Sequence, residues 1–256
     1  MTTTQQTIAR FDLPDILSAA LVPGKKRPLH GKAGSVRSGD AILIDPALRL
    51  LAVADGPERN PAASSSFLAL FHDAVVASGV LTLRDPPIEE QLRALILLTN
   101  DLIKTVDYHD STTFSALVMT EHLKSAQAIV LHAGDSLIFR INGHGGDAAQ
   151  VSRTSHVLVG RSPALFQTEI VALAQTDMVV LASDGLTDLA RTHASGPGDL
   201  LGSGITDPAP RALIDRIVGA ASAARVRIDD ISIVCASVGR LVSAAPDTCG
   251  NRIILT

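Results

Sequence analysis

The sequence is poor in aromatic residues. Its 256 residues include no tryptophan, one tyrosine and six phenylalanines, whereas hydrophobic residues of all kinds make up 46%. The core must therefore be built mainly from aliphatic side chains. Too few aromatic rings are present to form platforms for stacked bases, and a net charge of −4 provides no cationic surface for phosphates. We expect no nucleic-acid partner.

Cysteines and long apolar runs are also scarce. The two cysteines, Cys235 and Cys249, are too few for a disulfide framework or a cysteine metal site, and they suggest a reducing compartment. No segment has the run of about 18 apolar residues that a membrane helix needs. Arg10, Asp12 and Asp15 interrupt the N-terminal stretch where a signal peptide would be apolar. These absences predict a cytoplasmic protein that does not contact a membrane.

No linker rich in proline, glycine or serine divides the chain into halves. We therefore predict one folded domain over residues 30–240, preceded by an N-terminal extension at 1–29 and followed by a C-terminal tail at 241–256. A short helix is conceivable in the extension, at "LPDILSAALV".

Periodicity predicts a mixture of strands and helices. Strands are indicated at 41–56 as a hairpin around Asp45-Pro46, at 111–122, at 126–141 with a break at 134–136, at 178–182 and after 229. Helical spacing is found at 64–79, 88–106 and 213–221, and a helix is expected to start near Asp184. Because strands and helices are clustered and do not alternate one for one, we predict an α+β sheet sandwich flanked by helices.

Acidic residues stand at the ends of most predicted strands. They are Asp40, Asp55, Asp135, Asp184 and the pair Asp229 and Asp230. An ordinary Asp-Gly turn explains any one of them taken alone. Gathered at one end of a sheet, they would repel each other strongly unless hard divalent cations neutralised them, and all-oxygen ligands suit Mg²⁺ or Mn²⁺.

The motifs around these acids occur in a recognisable order. They are Gly39-Asp40, "AVADG" at 52–56, "STT" at 111–113, "GDS" at 134–136, "SDGLTDL" at 183–189 and "DDIS" at 229–232. In this order and spacing the chain resembles the metal-dependent type 2C protein serine/threonine phosphatases, the PPM superfamily, of the bacterial type. The short segment between "GDS" and "SDG" and the "DDIS" motif favour the sporulation and stress branch, whereas "GDS" and "VADG" are closer to the ordinary bacterial branch.

The resemblance implies two stacked antiparallel sheets with helices outside, and a site for two or three Mg²⁺ or Mn²⁺ ions. Asp55 would bridge two ions, with Asp184 and Asp229 binding one of them. Asp135 would share a third ion with Asp184, and Asp40 would support the site from behind. The residues assigned to the metal site are thus Asp40, Asp55, Gly56, Asp135, Asp184 and Asp229.

The implied reaction is hydrolysis of phosphoserine or phosphothreonine on a protein substrate, opposing a serine/threonine kinase, by water that the ions activate. Asp55, Asp184 and Asp229 would be the catalytic residues. Two family residues are missing: Asn60 stands where a proton-donating histidine is usual, and Ser35 where an arginine binds the phosphate. Arg37 is the candidate replacement for that arginine.

Other readings of the chain remain open. A degenerate phosphatase domain would bind a phosphoprotein or metal without turnover, and a plain scaffold would leave the acids scattered. A zinc hydrolase is disfavoured because the eight histidines show no paired ligand spacing, and a serine hydrolase because no G-x-S-x-G motif occurs.

Overall fold

The structure is a computed structural model that describes residues 8–24, 38–57, 62–81, 86–122, 125–143, 146–202, 209–225, 228–244 and 252–256. The strands are β1 Ala9–Leu13, β2 Leu17–Val22, β3 Asp40–Asp45, β4 Leu50–Asp55, β5 Phe114–His122, β6 Ser125–Ala133, β7 Leu137–Ile141, β8 Ala148–Gln150, β9 Gln167–Leu173, β10 Met178–Ala182, β11 Ile231–Ser237 and β12 Ile253–Leu255. The helices are α1 Ala62–Ser78, α2 Ile88–Ile103, α3 Gly185–Thr192, α4 Pro197–Gly202, α5 Pro210–Ala223 and α6 Val238–Ser243, with a 3₁₀ helix at Tyr108–Asp110. None of the helices in these ranges is both long enough and apolar enough to cross a lipid bilayer.

The strands form two six-stranded antiparallel sheets that pack face to face. The first sheet has the order β1-β2-β11-β10-β7-β8, and the second has the order β12-β3-β4-β5-β6-β9. Side chains from both sheets form the central core, α5 covers the outer face of the first sheet, and α1 and α2 cover the outer face of the second. The predicted α+β class, with two stacked antiparallel sheets flanked by helices, is confirmed.

The apolar runs follow from burial on both faces of each sheet. In β4, Leu51 and Val53 point into the central core, while Leu50, Ala52 and Ala54 point toward α1 and α2. Because successive side chains of a strand point to opposite faces, a strand covered on both sides must be apolar at nearly every position. The polar residue that ends such a run therefore marks the point where the chain leaves the core.

Several predicted elements agree closely with the structure. The β3–β4 hairpin forms with Asp40 directly opposite Asp55, and β10 spans Met178–Ala182 as predicted. The stretch 141–147, interpreted as a hairpin turn, connects the antiparallel pair β7 and β8. Strand β9 was not predicted from the pattern; its side chains are only partly buried over most of its length.

The two ends of the chain contribute to the same sheets. The helix considered at "LPDILSAALV" is wrong, because Leu17–Val22 is a strand that pairs with β11 and is buried throughout. At the other end, β12 pairs with β3, and Leu241 and Val242 of α6 lie in the central core. The division of the chain at 29 and 241 stays a prediction, but the described residues outside those bounds pack within the sandwich.

Candidate active site

Two acids from the second sheet face each other at the open end of the β3–β4 hairpin. Asp40 begins β3, Asp55 ends β4, and the strand register places them directly opposite each other. The backbone continues this pairing one residue further, since the amide of Gly56 donates to the carbonyl of Gly39 at 3.1 Å. Asp40 is buried, with 2% of its surface exposed, whereas Asp55 is only partly covered.

The first sheet brings further acids to the same end of the sandwich. Strand β10 ends just before Asp184, which precedes α3, and β11 starts just after Asp229 and Asp230. Because β10 and β11 are antiparallel neighbours, the end of one lies beside the start of the other. The strand pairing therefore brings the four aspartates Asp40, Asp55, Asp184 and Asp229 to one end of the sandwich, where the charges of the other three act on Asp55.

The environment of these acids disfavours their charged forms. The pKa of Asp55 lies well above its ordinary range, first because of burial and then because of the charges of Asp40, Asp184 and Asp229. Burial likewise raises the pKa of Asp40 to about 7, and the charge of Asp230 adds to that shift. Perturbed carboxyl groups of this kind are typical of functional sites, because the fold keeps charges together that would otherwise separate.

Hydrogen bonds from the first sheet hold Asp40 in position. The amide of Ser232 donates to its Oδ2 at 3.1 Å, and the hydroxyl of Ser183 also hydrogen-bonds the carboxylate, which opposes the rise in its pKa. Ser183 and Ser232 bind each other as well: the amide of Ser183 donates to the carbonyl of Ser232 at 2.9 Å. Asp40 is thus the point at which the two sheets are joined beneath the acidic cluster.

The "STT" motif fixes the backbone of Asp55. The amide of Asp55 donates to Oγ1 of Thr113 at 2.8 Å, and the amide of Thr113 donates back to the Asp55 carbonyl at 2.8 Å. The hydroxyl of Thr112 donates to the same carbonyl at 2.8 Å. These bonds give both threonines a positioning role.

The "GDS" loop is attached to the same threonine. Oγ1 of Thr113 lies 2.7 Å from Oγ of Ser136, so the hydroxyl network runs from Asp55 to this loop. Gly134 has φ +112°, and a Cβ placed on it would lie 2.7 Å from Cβ of Thr113. Only glycine fits both the backbone angle and the contact.

Asp135 lies in that loop. Its charge acts on His132: burial lowers the pKa of this histidine, and the charge of Asp135 partly restores it. His132 is fully buried, and its Nε2 donates to the carbonyl of Arg153 at 3.1 Å, so its Nδ1 accepts from Ser115 at 2.7 Å. The grouping of Asp135 with the other predicted ligands stays a prediction.

The glycine of "SDG" permits the close approach of α3 to the acids of β11. A Cβ on Gly185 would lie 2.0 Å from the carbonyl oxygen of Asp230, a distance that no side chain can accept. The position after Asp184 must therefore be glycine for the start of α3 to lie against Asp229 and Asp230.

The donor chemistry of the site fits hard divalent cations, since the predicted ligands are carboxylates together with the backbone carbonyl of Gly56. Among the residues that the structure describes, no three histidine, cysteine or acidic side chains are arranged around a point where an ion would sit. Instead, Oδ1 of Asp229 accepts from the amide of Asp230 at 3.0 Å, and Oδ1 of Asp230 accepts from Gly24. Ion binding would draw some of these oxygens into a shared shell, as expected where metal binding and local folding are coupled.

Some predicted site residues lie outside the described ranges, namely Arg37, Ser35 and Asn60. Their roles stay predictions. Sequence reasoning missed two hydroxyl residues that support the site: Ser232, which holds Asp40, and Ser64 of α1, whose Oγ lies 3.0 Å from Oγ1 of Thr112. The signal that could have found Ser232 is its position two residues after the acids that open an apolar strand.

Comparison with known proteins identifies the family and the fold. The family model described as stage II sporulation protein E (SpoIIE) matches residues 74–239, a range that includes Asp135, Asp184 and Asp229 and begins after Asp55. This match is to the sporulation branch of the two that the motifs left open. No curated protein matches the chain significantly.

Solved bacterial phosphatases share the fold at low sequence identity. The Mycobacterium tuberculosis serine/threonine phosphatase PstP/Ppp is 17% identical, with a TM-score of 0.58 over 87% of this chain and 97% of that one. The catalytic domain of PstP in complex with two manganese ions is also 17% identical, with a TM-score of 0.56 over 90% and 99%. PppA of Pseudomonas aeruginosa is 21% identical, with a TM-score of 0.53 over 86% and 95%.

The predicted resemblance to bacterial type 2C phosphatases is thus confirmed for the fold, and the model match covers well over half of the chain. The chain belongs to the stage II sporulation protein E (SpoIIE) family and has the fold of the bacterial type 2C serine/threonine phosphatases.

Proposed function

We propose that this protein is a metal-dependent phosphatase that hydrolyses phosphoserine or phosphothreonine on a protein substrate, opposing a serine/threonine kinase. The observation that supports it most is the meeting of Asp40, Asp55, Asp184 and Asp229 at one end of the sandwich, where the last three would supply oxygen ligands. A site that serves only to stabilise the fold would have little reason to bring four like charges together, because their repulsion is unfavourable.

Mg²⁺ or Mn²⁺ ions bound there would activate water and neutralise the charge of the phosphate under attack. Asp55, Asp184 and Asp229 would hold the ions, and Gly56 would add its carbonyl oxygen. Asp40 accepts hydrogen bonds from Ser183 and Ser232 and keeps the carboxylate of Asp55 in place. The PstP catalytic domain, a structural relative, was solved with two manganese ions, which supports the choice of metal.

The remaining assignments belong to the same proposal. Asp135 would contribute to a third ion by a movement of its loop, and Arg37 would bind the phosphate. The backbone of Asp55 is held by Thr113, so the position of this ligand depends on the β5 strand as well as on its own. A ligand held from two sides keeps its geometry when the substrate binds.

The test is hydrolysis of a small aryl phosphate and of a phosphoserine peptide by the purified protein, with Mn²⁺, with Mg²⁺ and with chelator. The expected result is activity that requires the metal and is lost in Asp55→Asn. Retention of activity with chelator, or in Asp55→Asn with an unchanged metal requirement, would contradict the assignment of the site.

A second candidate is a module of the same fold that binds a phosphoprotein without turnover. It is favoured by the absence, among the described residues, of a closed group of three acidic or histidine ligands. The hydrolysis assays distinguish the two, because this candidate predicts no turnover under any of the conditions above. Calorimetric titration with Mn²⁺ then shows whether the protein without turnover still binds the metal through Asp55.

A further inference from the structure

The side chain of Arg161 is oriented by a buried serine and by an aromatic ring. Its Nε donates to Oγ of Ser111 at 3.0 Å, and the guanidinium carbon lies 4.9 Å from the centroid of the Tyr108 ring. Ser111 is buried, with 3% of its surface exposed, whereas Tyr108 is 59% exposed. The guanidinium is therefore anchored on its inner side and supported on one face, while its outer edge points to solvent.

The position of Arg161 is coupled to the candidate active site. Two residues before it, Val159 forms a two-way backbone bridge with Thr112, with N–O distances of 3.0 and 3.3 Å. Thr112 in turn donates to the carbonyl of Asp55. The loop that carries Arg161 is thus attached to the same strand start that fixes Asp55, and Ser111 and Thr112 connect Arg161 to the backbone of Asp55.

This geometry leaves two nitrogens available for a ligand. Within the described part of the chain, neither terminal nitrogen of Arg161 has a hydrogen-bond or ion-pair partner. A guanidinium that is already oriented loses little entropy when it binds an oxyanion with both terminal nitrogens, and a ring beneath it strengthens the arrangement. The neighbouring Asp107 precedes the 3₁₀ helix, and its Oδ1 accepts from the amide of His109 at 2.9 Å.

We propose that Arg161 binds a second acidic group of the substrate, adjacent to the phosphorylated residue, and does not bind the phosphate that is hydrolysed. Among the described residues, Ser111 and Thr112 connect Arg161 to Asp55, and the hydroxyl of Thr112 donates to the backbone carbonyl of Asp55, not to its carboxylate. A substrate with its phosphate on the ions would therefore place a neighbouring residue, not the phosphate, over Arg161. The ligand is an oxyanion, either a glutamate or aspartate carboxylate or a second phosphate. This inference rests on the proposed function, because it takes the substrate to be a phosphoprotein.

The experiment compares the wild-type protein with Arg161→Ala and with the control Arg211→Ala. Arg211 is an exposed arginine on α5, which covers the other sheet. Three fluorescent phosphoserine peptides differ only beside the phosphoserine, which is flanked by glutamine, by glutamate or by a second phosphoserine. Their binding is measured by anisotropy in the presence of Mn²⁺, and their hydrolysis is measured in parallel with that of an aryl phosphate.

Arg161→Ala is expected to weaken binding of the two acidic peptides about fivefold, the effect typical of an exposed ion pair. This loss should appear in KM with little change in kcat, and it should shrink at high salt because an exposed pair is screened. Binding of the glutamine peptide, hydrolysis of the aryl phosphate and thermal stability should stay as in the wild type, and Arg211→Ala should change none of these quantities. The glutamate and phosphoserine peptides show which oxyanion is preferred.

Two results would overturn this inference. In the first, Arg161→Ala loses the same affinity for all three peptides and is less stable to heat, which would mean that Arg161 only secures its loop. In the second, Arg161→Ala does not differ from the wild type. If no phosphate is hydrolysed but Arg161→Ala still loses affinity for the acidic peptides, the proposed function fails while the role of Arg161 stands.

Discussion

Two aspartates at opposite ends of the β3–β4 hairpin have opposite environments. Asp45, at the turn, is buried with 6% of its surface exposed; its Oδ2 lies 2.7 Å from Nε2 of His72, and its Oδ1 accepts from the amide of Leu48 at 3.0 Å. Asp55, at the open end, faces three other aspartates, whose charges together with burial raise its pKa. The carboxylate is balanced by hydrogen-bond partners at one end of the hairpin, and it faces other carboxylates at the other end.

The difference separates an acid that stabilises the fold from one that is available for chemistry. Asp45 links the turn to α1 through His72, and a terminal nitrogen of Arg252, next to β12, lies 3.4 Å from Nδ1 of the same histidine. The carboxylate oxygens of Asp45 therefore have their hydrogen-bond partners within the protein. The repulsion around Asp55 can be relieved only by protons or by cations, and for this reason we assign the ions to the open end.

The largest expected effect is that of Asp55→Asn on catalysis. We expect metal-dependent hydrolysis of an aryl phosphate to fall by about 10³-fold or more, because the metal contribution to the barrier amounts to several kcal/mol. The matched change at the other end, Asp45→Asn, should leave kcat of the folded protein nearly unchanged. Equal loss of kcat in both variants would remove the distinction between the two ends.

The next largest effect is on stability, at the turn. His72→Ala leaves Oδ2 of Asp45 without its buried partner, and the free energy of unfolding should fall by about 2–3 kcal/mol. Urea denaturation measures this loss. The control is His156→Ala, an exposed loop histidine, for which a change within about 0.5 kcal/mol is expected. A loss in His72→Ala no larger than in the control would mean that Asp45 does not need its partner.

A smaller effect on catalysis is expected from Thr113→Val, which keeps the shape of the side chain but removes the hydroxyl between Asp55 and Ser136. Residues that orient metal ligands typically contribute about 10- to 100-fold to activity or metal affinity, and a decrease in kcat/KM of that size is expected. Thr113→Ser retains the hydroxyl and should recover most of the activity. If the valine and serine variants behave alike, the hydroxyl does not position Asp55.

The smallest effect, taken per pH unit, is a pH dependence of stability in the metal-free protein. The pKa of Asp40 is raised from 3.8 to about 7 in the folded state, so the folded protein binds more protons than the unfolded chain between these values. Stability must therefore decrease as pH rises from about 4 to 7, with a slope of at most about 1.4 kcal/mol per pH unit for one group. Melting temperatures across this range, with and without Mn²⁺, measure the slope.

The control for that slope is Asp40→Asn, which removes one titrating group and should reduce the dependence to the part that Asp55 contributes. Mn²⁺ should also reduce the decrease, because a cation favours the charged carboxylates. If stability rises from pH 4 to 7 in the metal-free wild type, the pKa of Asp40 is not raised in the folded protein, and its negative charge is stabilised by groups other than those described above.

Part of the fold was predictable because its signals are local. The β3–β4 hairpin and β10 are apolar runs bounded by turn residues, and such runs fold as strands wherever both faces are covered. The prediction failed at β2, where "LSAALV" was taken as part of a possible helix; leucine and alanine favour helices in isolation, but pairing with β11 decided the outcome. Strand β12 has the same explanation, since a three-residue strand exists only through its pairing with β3.

The candidate site was predicted as a set of residues but not as an arrangement. Motif order placed Asp40, Asp55, Asp184 and Asp229 at strand ends, and the fold brings their charges together. The joining of the two sheets through Asp40 and the attachment of Arg161 to Ser111 had no signal in the motifs. Each of these depends on contacts between segments that are far apart in the chain.

The sequence by itself determined the strand ends at which the acids stand and the glycines that let the chain turn there, because periodicity and turn chemistry act over a few neighbouring residues. Only the tertiary structure decided which acids share one environment and which are compensated. Residue 40 meets residue 232 through the packing of one sheet on another, and the energy of a buried charge depends on everything around it.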